Sequence, residues 1–334
     1  MKVKDTLGRP VRDLRISVTD RCNFRCVYCM PKEIFGPDYP YLARQEILTY
    51  EEIARLTGLF TSLGVTKVRL TGGEPLLRRE IEKLIAMLAQ IPNLEIALTT
   101  NGSTLGSMAA GLRKAGLDRV TVSLDALDEE IFTAMNDVDF PVAQVMEGIA
   151  AAEAAGLTPI KINMVVQKGV NEDQILPMAK YFQRAGHILR FIEYMDVGTT
   201  NDWQMKDVVP AKAILQKLQS EFELTPLEAN YTGEVARRYG YADSQGEIGI
   251  IASVTQPFCG DCTRARLSAD GHLFTCLFSA QGHDLKELLR SDASDDEIRQ
   301  RLIDIWQRRS DRYSELRTSA TNGGDKIEMS YIGG

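Results

Sequence analysis

Between about residue 11 and residue 195, short β-branched runs alternate with amphipathic stretches of helical period. No other feature of the chain restricts its fold as much. The runs VRDLRISV (11–18), TKVRLT (66–71), LEIALTT (94–100), RVTVSLDA (119–126), TPIKINMVV (158–166) and HILRFIEYM (187–195) read as strands. The spacing between them predicts helices over 50–63, about 78–90, 105–115, 142–155 and 172–184. The first helix has Thr49 and Glu52 as a capping box, puts Ile53, Leu56, Phe60 and Leu63 on one face, and stops at Gly64. Strands separated in this way need long crossovers, so the units build a parallel sheet. Six units fall short of the eight that close a barrel. The expected fold is therefore α/β, an incomplete, open (β/α)6 TIM-like barrel with its chemistry at the C-terminal strand ends. The segments Cys22–Cys29, Gly72-Gly73-Glu74, Thr99-Thr100-Asn101, Ser123–Asp125 and Met195 all fall at those ends.

After residue 196 the alternation breaks down. GTTNDWQ reads as a loop, 210–221 as a helix, and 230–276 as short strands and turns. In DEIRQRLIDIWQRR, Ile298, Leu302, Ile305 and Trp306 recur at helical spacing and are expected in the core. We divide the chain into a partial barrel over 1–200 and an α+β extension over 201–334. At 44% hydrophobic residues it can bury a large core, and a net charge of -7 argues against holding nucleic acid through its overall field while leaving room for a local basic pocket. No apolar leader opens the chain, and no run approaches the ~20 apolar residues of a membrane helix. The expected location is the cytoplasm, without a membrane partner.

Six cysteines fall as two triads, Cys22, Cys26, Cys29 and Cys259, Cys262, Cys276, which in a reducing compartment points to metal rather than disulfide. The first, CxxxCxxC, offers three thiolates and leaves one coordination position open, unlike a closed structural zinc site. Neither His187, His272 nor His283 is spaced to complete it. The second, CxxC-x13-C, is also incomplete, and a zinc knuckle closed by His272 or His283 stays open as an alternative on spacing alone. Arg264 and Arg266 are alternate residues of one strand and share a face beside that triad. Arg15, Lys67, Arg69, Lys161 and Arg190 lie on barrel strands, several within apolar runs where an unpaired charge is costly. A set of inward cations implies an anion, and a triphosphate suits bidentate guanidinium pairing. Salt bridges to barrel Asp and Glu are the plainer alternative for any one of them.

The run Cys22–Cys29 with Tyr28 before its last cysteine, followed by Gly72-Gly73-Glu74-Pro75, resembles the radical S-adenosylmethionine (SAM) superfamily. There, three cysteines hold a [4Fe-4S] cluster and SAM chelates the fourth iron. The resemblance implies that the glycines bring backbone close to the methionine amino group and that Glu74 adds to its charge partnership. RISVTDRCNFRCVYCMP, KVRLTGGEPLLRR, LTTNG, VSLDA, RFIEYMDVG, FCGDCTRARLSADG and the final YIGG resemble, more narrowly, the GTP 3',8-cyclases of molybdenum cofactor biosynthesis. That family resemblance implies two [4Fe-4S] clusters, SAM, GTP bound between the clusters, and a dimer. It further implies GTP contacts at Arg15, Lys67, Arg69, Thr100, Lys161, Arg190, Arg264, Ala265 and Arg266. SAM contacts are implied at Tyr28, Gly73, Glu74, Ser123 and Met195, catalytic roles at Arg15, Arg264 and Arg266, and an active-site tail at Gly333 and Gly334. The implied reaction has a deoxyadenosyl radical take hydrogen from C3' of GTP, after which C3' attacks C8. It needs an external electron donor and passes its product to cyclic pyranopterin monophosphate synthase. The segment 34–46 matches only loosely, and nothing is carried over there. Alternatives are a radical SAM peptide maturase with an auxiliary cluster, a non-catalytic iron–sulfur electron carrier, and a zinc-stabilised binding module.

Overall fold

The structure, a computed structural model, describes residues 3–243, 246–317 and 326–333. Six parallel strands follow the sequence pattern: β1 (Asp13–Ser17), β2 (Lys67–Thr71), β3 (Glu95–Thr100), β4 (Arg119–Ser123), β5 (Lys161–Val166) and β6 (Ile188–Glu193). They are shorter than the apolar runs because the run ends bend into loops. The helix Tyr50–Leu63 starts with the expected capping box: Thr49 Oγ1 accepts from the Glu52 N–H at 3.1 Å, and the Glu52 carboxylate accepts from the Thr49 N–H at 2.7 Å. The next helix begins only at Ile81, later than expected, because Pro75–Leu77 form a tight turn and Glu80 sits at φ 60°. A helix Glu129–Asn136, which the periodicity did not anticipate, fills the crossover after β4 and is capped by Asp128 on the Ile131 N–H at 3.0 Å. Helices Leu105–Ala115, Val142–Ala154 and Ile175–Ala185 complete the outer layer.

Alternation along the strands separates two surfaces. Leu14, Ile16, Val68, Leu70, Ile96, Leu98, Val120, Val122, Ile162, Met164, Leu189 and Phe191 are all buried in the core that joins strands to helices. The residues between them, among them Arg15, Lys67, Arg69, Thr99, Thr121, Ser123, Lys161, Asn163 and Arg190, belong to the opposite face. Closed barrels fill that inner face with branched apolar side chains. Here it is polar and cationic, so the interior is a chamber rather than a packed core.

The C-terminal region adds β7 (Leu224–Leu227), β8 (Arg237–Tyr241), β9 (Glu247–Ile251), β10 (Arg264–Leu267), β11 (His272–Phe274) and β12 (His283–Asp284). The sheet runs β12-β11-β10-β1-β2-β3-β4-β5-β6-β9-β8-β7, with β10 parallel to β1 and β9 parallel to β6. The last third of the chain thus extends the parallel run at both edges. Among the described residues β9 and β10 are not paired, so the barrel is open at that seam. The connection over residues 252–263, which carries Cys259 and Cys262, joins the two sides. The helix Asp295–Gln307 buries Ile298, Leu302, Ile305 and Trp306, as the spacing predicts. Among the described residues no helix is long and apolar enough to cross a membrane.

Candidate active site

Both cysteine triads open onto one cavity. Cys22, Cys26 and Cys29 line one part and Cys259, Cys262 and Cys276 another, and all six are free thiols. The empty space, mouth included, is about 1880 Å³. No histidine lines it. His272 pairs with Asp270 at 3.1 Å, His187 lies 4.0 Å from Glu153, and His283 is on the exposed β12. A zinc site closed by histidine therefore lacks its fourth ligand here, whereas three soft thiolates facing open space suit a cluster that keeps a position for an outside ligand.

The first triad sits on the loop after β1, and the Gly72-Gly73 turn after β2 holds that loop. Gly73 N–H donates to Thr19 O at 2.9 Å and Glu74 N–H to Arg21 O at 2.8 Å. A Cβ on Gly72 would come 2.4 Å from Thr19 O, and one on Gly73 2.3 Å from Arg21 O. The glycines are thus required by the approach of the cysteine loop itself, a reason the motif alone does not reveal. Glu74 is fully buried and stands behind the cavity wall rather than on it. Its carboxylate accepts from Leu76 N–H at 3.0 Å, Thr100 Oγ1 at 2.8 Å and Asn101 N–H at 2.7 Å. These three hydrogen bonds tie the β2 and β3 turns together through one carboxylate. Burial raises its pKa to about 7, against the lowering effect of those hydrogen bonds.

Tyr28, Gly73, Ser123 and Met195 line the cavity near the first triad. The Tyr28 hydroxyl donates to Asp125 Oδ2 at 2.7 Å, and burial lifts the Asp125 carboxyl to about 6. Burial, followed by the nearby Glu74, pushes the Cys22 thiol up to about 11, so a bound cation must supply the charge that makes it a thiolate. At the second triad burial alone would raise Cys262, but Arg264 and then Arg309 outweigh it and bring the thiol to about 6.

The same cavity is lined by cations. Arg266, Arg15 and Arg69 stand in register across β10, β1 and β2, and Arg264 is in register with Asp13 and Lys67. Arg15, Arg69, Arg190 and Arg264 line both the main cavity and a basal recess that also takes in Lys67 and Lys161. Only Lys67 of this group has a carboxylate ion pair among the described residues, with Glu95 at 3.0 Å. Arg69 donates to Thr99 and Thr121 at 2.9 Å each, and Arg264 to Cys262 Sγ at 3.4 Å. Burial, then neighbouring cations, lowers Lys161 to about 7 and Arg190 to about 9. Among the described residues a close salt bridge therefore holds for Lys67 alone; Asp13 and Glu234 also line the recess, but its cations outnumber them and leave a net positive field. Thr100 lines the cavity but its hydroxyl is engaged by Glu74; Ala265 is buried on β10 with its side chain on the face opposite its two arginine neighbours.

The chain's end returns to this site. Tyr331 donates to Asp270 at 2.6 Å, Met329 lines the cavity, and Gly333 O accepts from Arg266 Nη1. Gly333 has φ +74°, and a Cβ there would lie 2.2 Å from Thr71 Cγ2. Gly334 lies outside the described residues. Sequence reasoning missed Asn163 and Phe258 on the cavity wall and Tyr231, which lines the recess with its ring under Arg12 at 4.6 Å. The inward parity of β5 could have pointed to Asn163; nothing local marks the other two.

Comparison with known proteins agrees with this geometry. Residues 16–182 match the Radical SAM superfamily and residues 187–315 match Molybdenum Cofactor Synthesis C. The chain is 51% identical to a GTP 3',8-cyclase of Acidothermus cellulolyticus and 52% identical to one of Xanthomonas axonopodis pv. citri, covering 99% of both chains in each case. A Staphylococcus haemolyticus GTP 3',8-cyclase is 49% identical. Among solved structures, Streptococcus suis SuiB bound to its precursor peptide SuiA superposes with a TM-score of 0.65 at 14% identity, over 92% of this chain and 66% of that one. SuiB bound to S-adenosylmethionine gives a TM-score of 0.62 over 89% of this chain and 65% of that longer one. At this identity the likeness is one of fold.

Proposed function

The chain belongs to the GTP 3',8-cyclase family of radical SAM enzymes, and we propose that its cavity seats SAM at the first cysteine triad and GTP between the two triads. The enzyme is a lyase of molybdopterin biosynthesis. It cyclises GTP to (8S)-3',8-cyclo-7,8-dihydroguanosine 5'-triphosphate, the first step of that route. Cys22, Cys26 and Cys29 would hold one [4Fe-4S] cluster and Cys259, Cys262 and Cys276 the other. When bound, the first cluster and SAM supply the 5'-deoxyadenosyl radical that takes hydrogen from C3' of the ribose.

The chain's own residues bind and orient. Tyr28, Ser123, Met195 and the backbone at Gly73 line the SAM side, and Glu74 acts through the turns it pins. The observation that carries the reading is the set Arg15, Arg69, Lys161, Arg190, Arg264 and Arg266, which face the cavity without a carboxylate partner among the described residues. A triphosphate meets this field with matching charge and fork geometry. Lys67 adds a contact at the base, Thr100 and Ala265 contribute at the rim and on β10, and guanine is left toward the second triad. Arg15, Arg264 and Arg266 hold C8 near C3' and stabilise negative charge as the ring closes. Gly333 and Gly334 complete the tail. We further propose a boundary near residue 200 between the barrel and the extension, a homodimer, an external one-electron donor, a cytoplasmic location and transfer of product to cyclic pyranopterin monophosphate synthase.

Anaerobic reaction of cluster-reconstituted protein with SAM, reductant and GTP deuterated at C3' should move the label into 5'-deoxyadenosine. Deoxyadenosine free of label would refute the reading.

A further inference from the structure

Asp5 and Arg9 precede β1 and Arg309 follows the helix Asp295–Gln307, yet the three side chains meet in the interior, each no more than 2% exposed. Asp5 Oδ2 accepts from Arg9 Nε at 2.6 Å and from Arg309 Nη1 at 3.1 Å. Its Oδ1 accepts from the backbone N–H groups of Leu7 and Arg9, both at 2.9 Å. The carboxylate is thereby saturated and both guanidiniums are fixed.

Arg9 Nη1 and the Arg309 guanidinium also reach the backbone around the second cysteine triad, while Arg9 Nη2 is buried without a hydrogen-bond partner. Arg9 Nη1 donates to Cys259 O at 2.6 Å and to Asp311 O at 2.9 Å. Arg309 Nη1 donates to Cys262 O at 2.7 Å, and Arg309 Nε to Thr275 O, beside Cys276, at 3.0 Å. Every cysteine-bearing segment of this triad is thus tied to one buried carboxylate through two arginines. These segments come from the seam-crossing connection and from the end of β11. Within the connection, Cys259 and Cys262 are held to each other by one 3-10 turn, with Asp261 N–H donating to Phe258 O at 3.4 Å and Cys262 N–H to Cys259 O at 3.2 Å, but that turn does not reach Cys276. A buried ionic triad contributes little net stability over apolar packing, so stability alone is a weak reason for this one. What it holds is the better explanation.

We propose that Asp5, Arg9 and Arg309 are positioning residues for the second iron–sulfur cluster, holding its three cysteine segments at cluster spacing and lending positive charge to its sulfurs. The proposal rests on the reading of this triad as a cluster site. It assigns the N-terminal arm a task in cofactor retention, as an outer shell that orients ligands.

The test uses the full chain carrying Cys22→Ala, Cys26→Ala and Cys29→Ala, in which all bound iron belongs to the second triad. After anaerobic reconstitution this parent should contain the iron and sulfide of one cluster. A parent that binds none overturns the cluster reading, and the proposal with it. Arg309→Gln and Asp5→Asn should release iron to a chelator roughly ten- to hundredfold faster than the parent. Arg309→Gln should also shift the cluster's midpoint potential to more negative values. Arg309→Lys should keep the potential near that of the parent yet release iron quickly, because one ammonium cannot span the Cys262 and Thr275 carbonyls. Lys114→Gln, a control at an exposed residue of the helix Leu105–Ala115, should match the parent. Parental release rate and potential in Arg309→Gln overturn the proposal alone. So does loss of SAM cleavage at the first cluster when Arg309→Gln is placed in the full-cysteine chain, since the triad would then support the whole fold.

Discussion

Lys161 offers the sharpest test of the phosphate chamber. Burial, then Arg190, Arg119, Lys67 and Arg69, lowers its pKa to about 7, and it has no carboxylate ion pair among the described residues. A bound triphosphate favours the ammonium, so nucleotide binding takes up a proton wherever the free side chain is neutral. At pH 6 the side chain is already charged and the linkage costs almost nothing. At pH 8 it stands about one unit above its own pKa, and protonating it costs about 1.4 kcal/mol, roughly tenfold in Kd. Wild-type affinity for GTP should therefore fall about tenfold more between pH 6 and pH 8 than that of Lys161→Met. The nucleotide's own ionisation is common to both proteins and cancels. Anaerobic calorimetry without SAM, in two buffers of different ionisation enthalpy, counts the protons directly. Lys67 also stands at about 7, but it is already ion-paired with Glu95 at 3.0 Å, which makes it the poorer probe. The same linkage has the opposite sign for folding: the unfolded chain binds the extra proton, so nucleotide-free protein gains stability from about pH 7 to about pH 10. Parallel plots of log Kd against pH for wild type and Lys161→Met would refute a triphosphate at this lysine.

Glu74 has a folded-state pKa raised to about 7, so its contribution is present at low pH and is lost as pH rises through that value. Melts of Glu74→Gln should be flatter than wild type between pH 4.5 and 7, the window set by the ordinary carboxyl value of about 4.3. In Gly333→Ala the new Cβ meets Thr71 at a φ of +74°, so turnover should drop by on the order of tenfold or more while iron content and SAM binding stay unchanged. Partial recovery in Gly333→Ala with Thr71→Ala would identify the clash as steric. Tyr28→Phe removes a 2.7 Å bond to the buried Asp125 and should weaken SAM binding by about 1 to 2 kcal/mol, measured by equilibrium dialysis on the reconstituted protein.

Much of the site was legible because strand parity and loop position are local properties. Lys67 and Arg69, two apart, had to share a face of β2, and the Cys22–Cys29 run had to follow β1. The glycines at 72 and 73 were legible as a motif but not for their cause, which is the approach of the Thr19–Cys22 backbone. The turn at Glu74 could be read, but not the Thr100 and Asn101 donors that hold its carboxylate, because they lie at the end of the next strand. Tyr231 and Arg309 carried no signal, since each reaches its site through contacts distant in sequence.

By itself the sequence determined the βα period, the two thiolate triads and the residue types that face inward, because these depend on spacing along one segment. Only the tertiary structure decided that β9 and β10 flank the barrel on opposite edges, so that the connection between them brings the second triad to the cavity of the first. The same packing left the inward arginines without a close carboxylate ion pair among the described residues, with only Asp13 and Glu234 as acidic groups lining their recess. Charge balance is a property of everything that surrounds a buried group, and that surrounding is assembled from segments hundreds of residues apart.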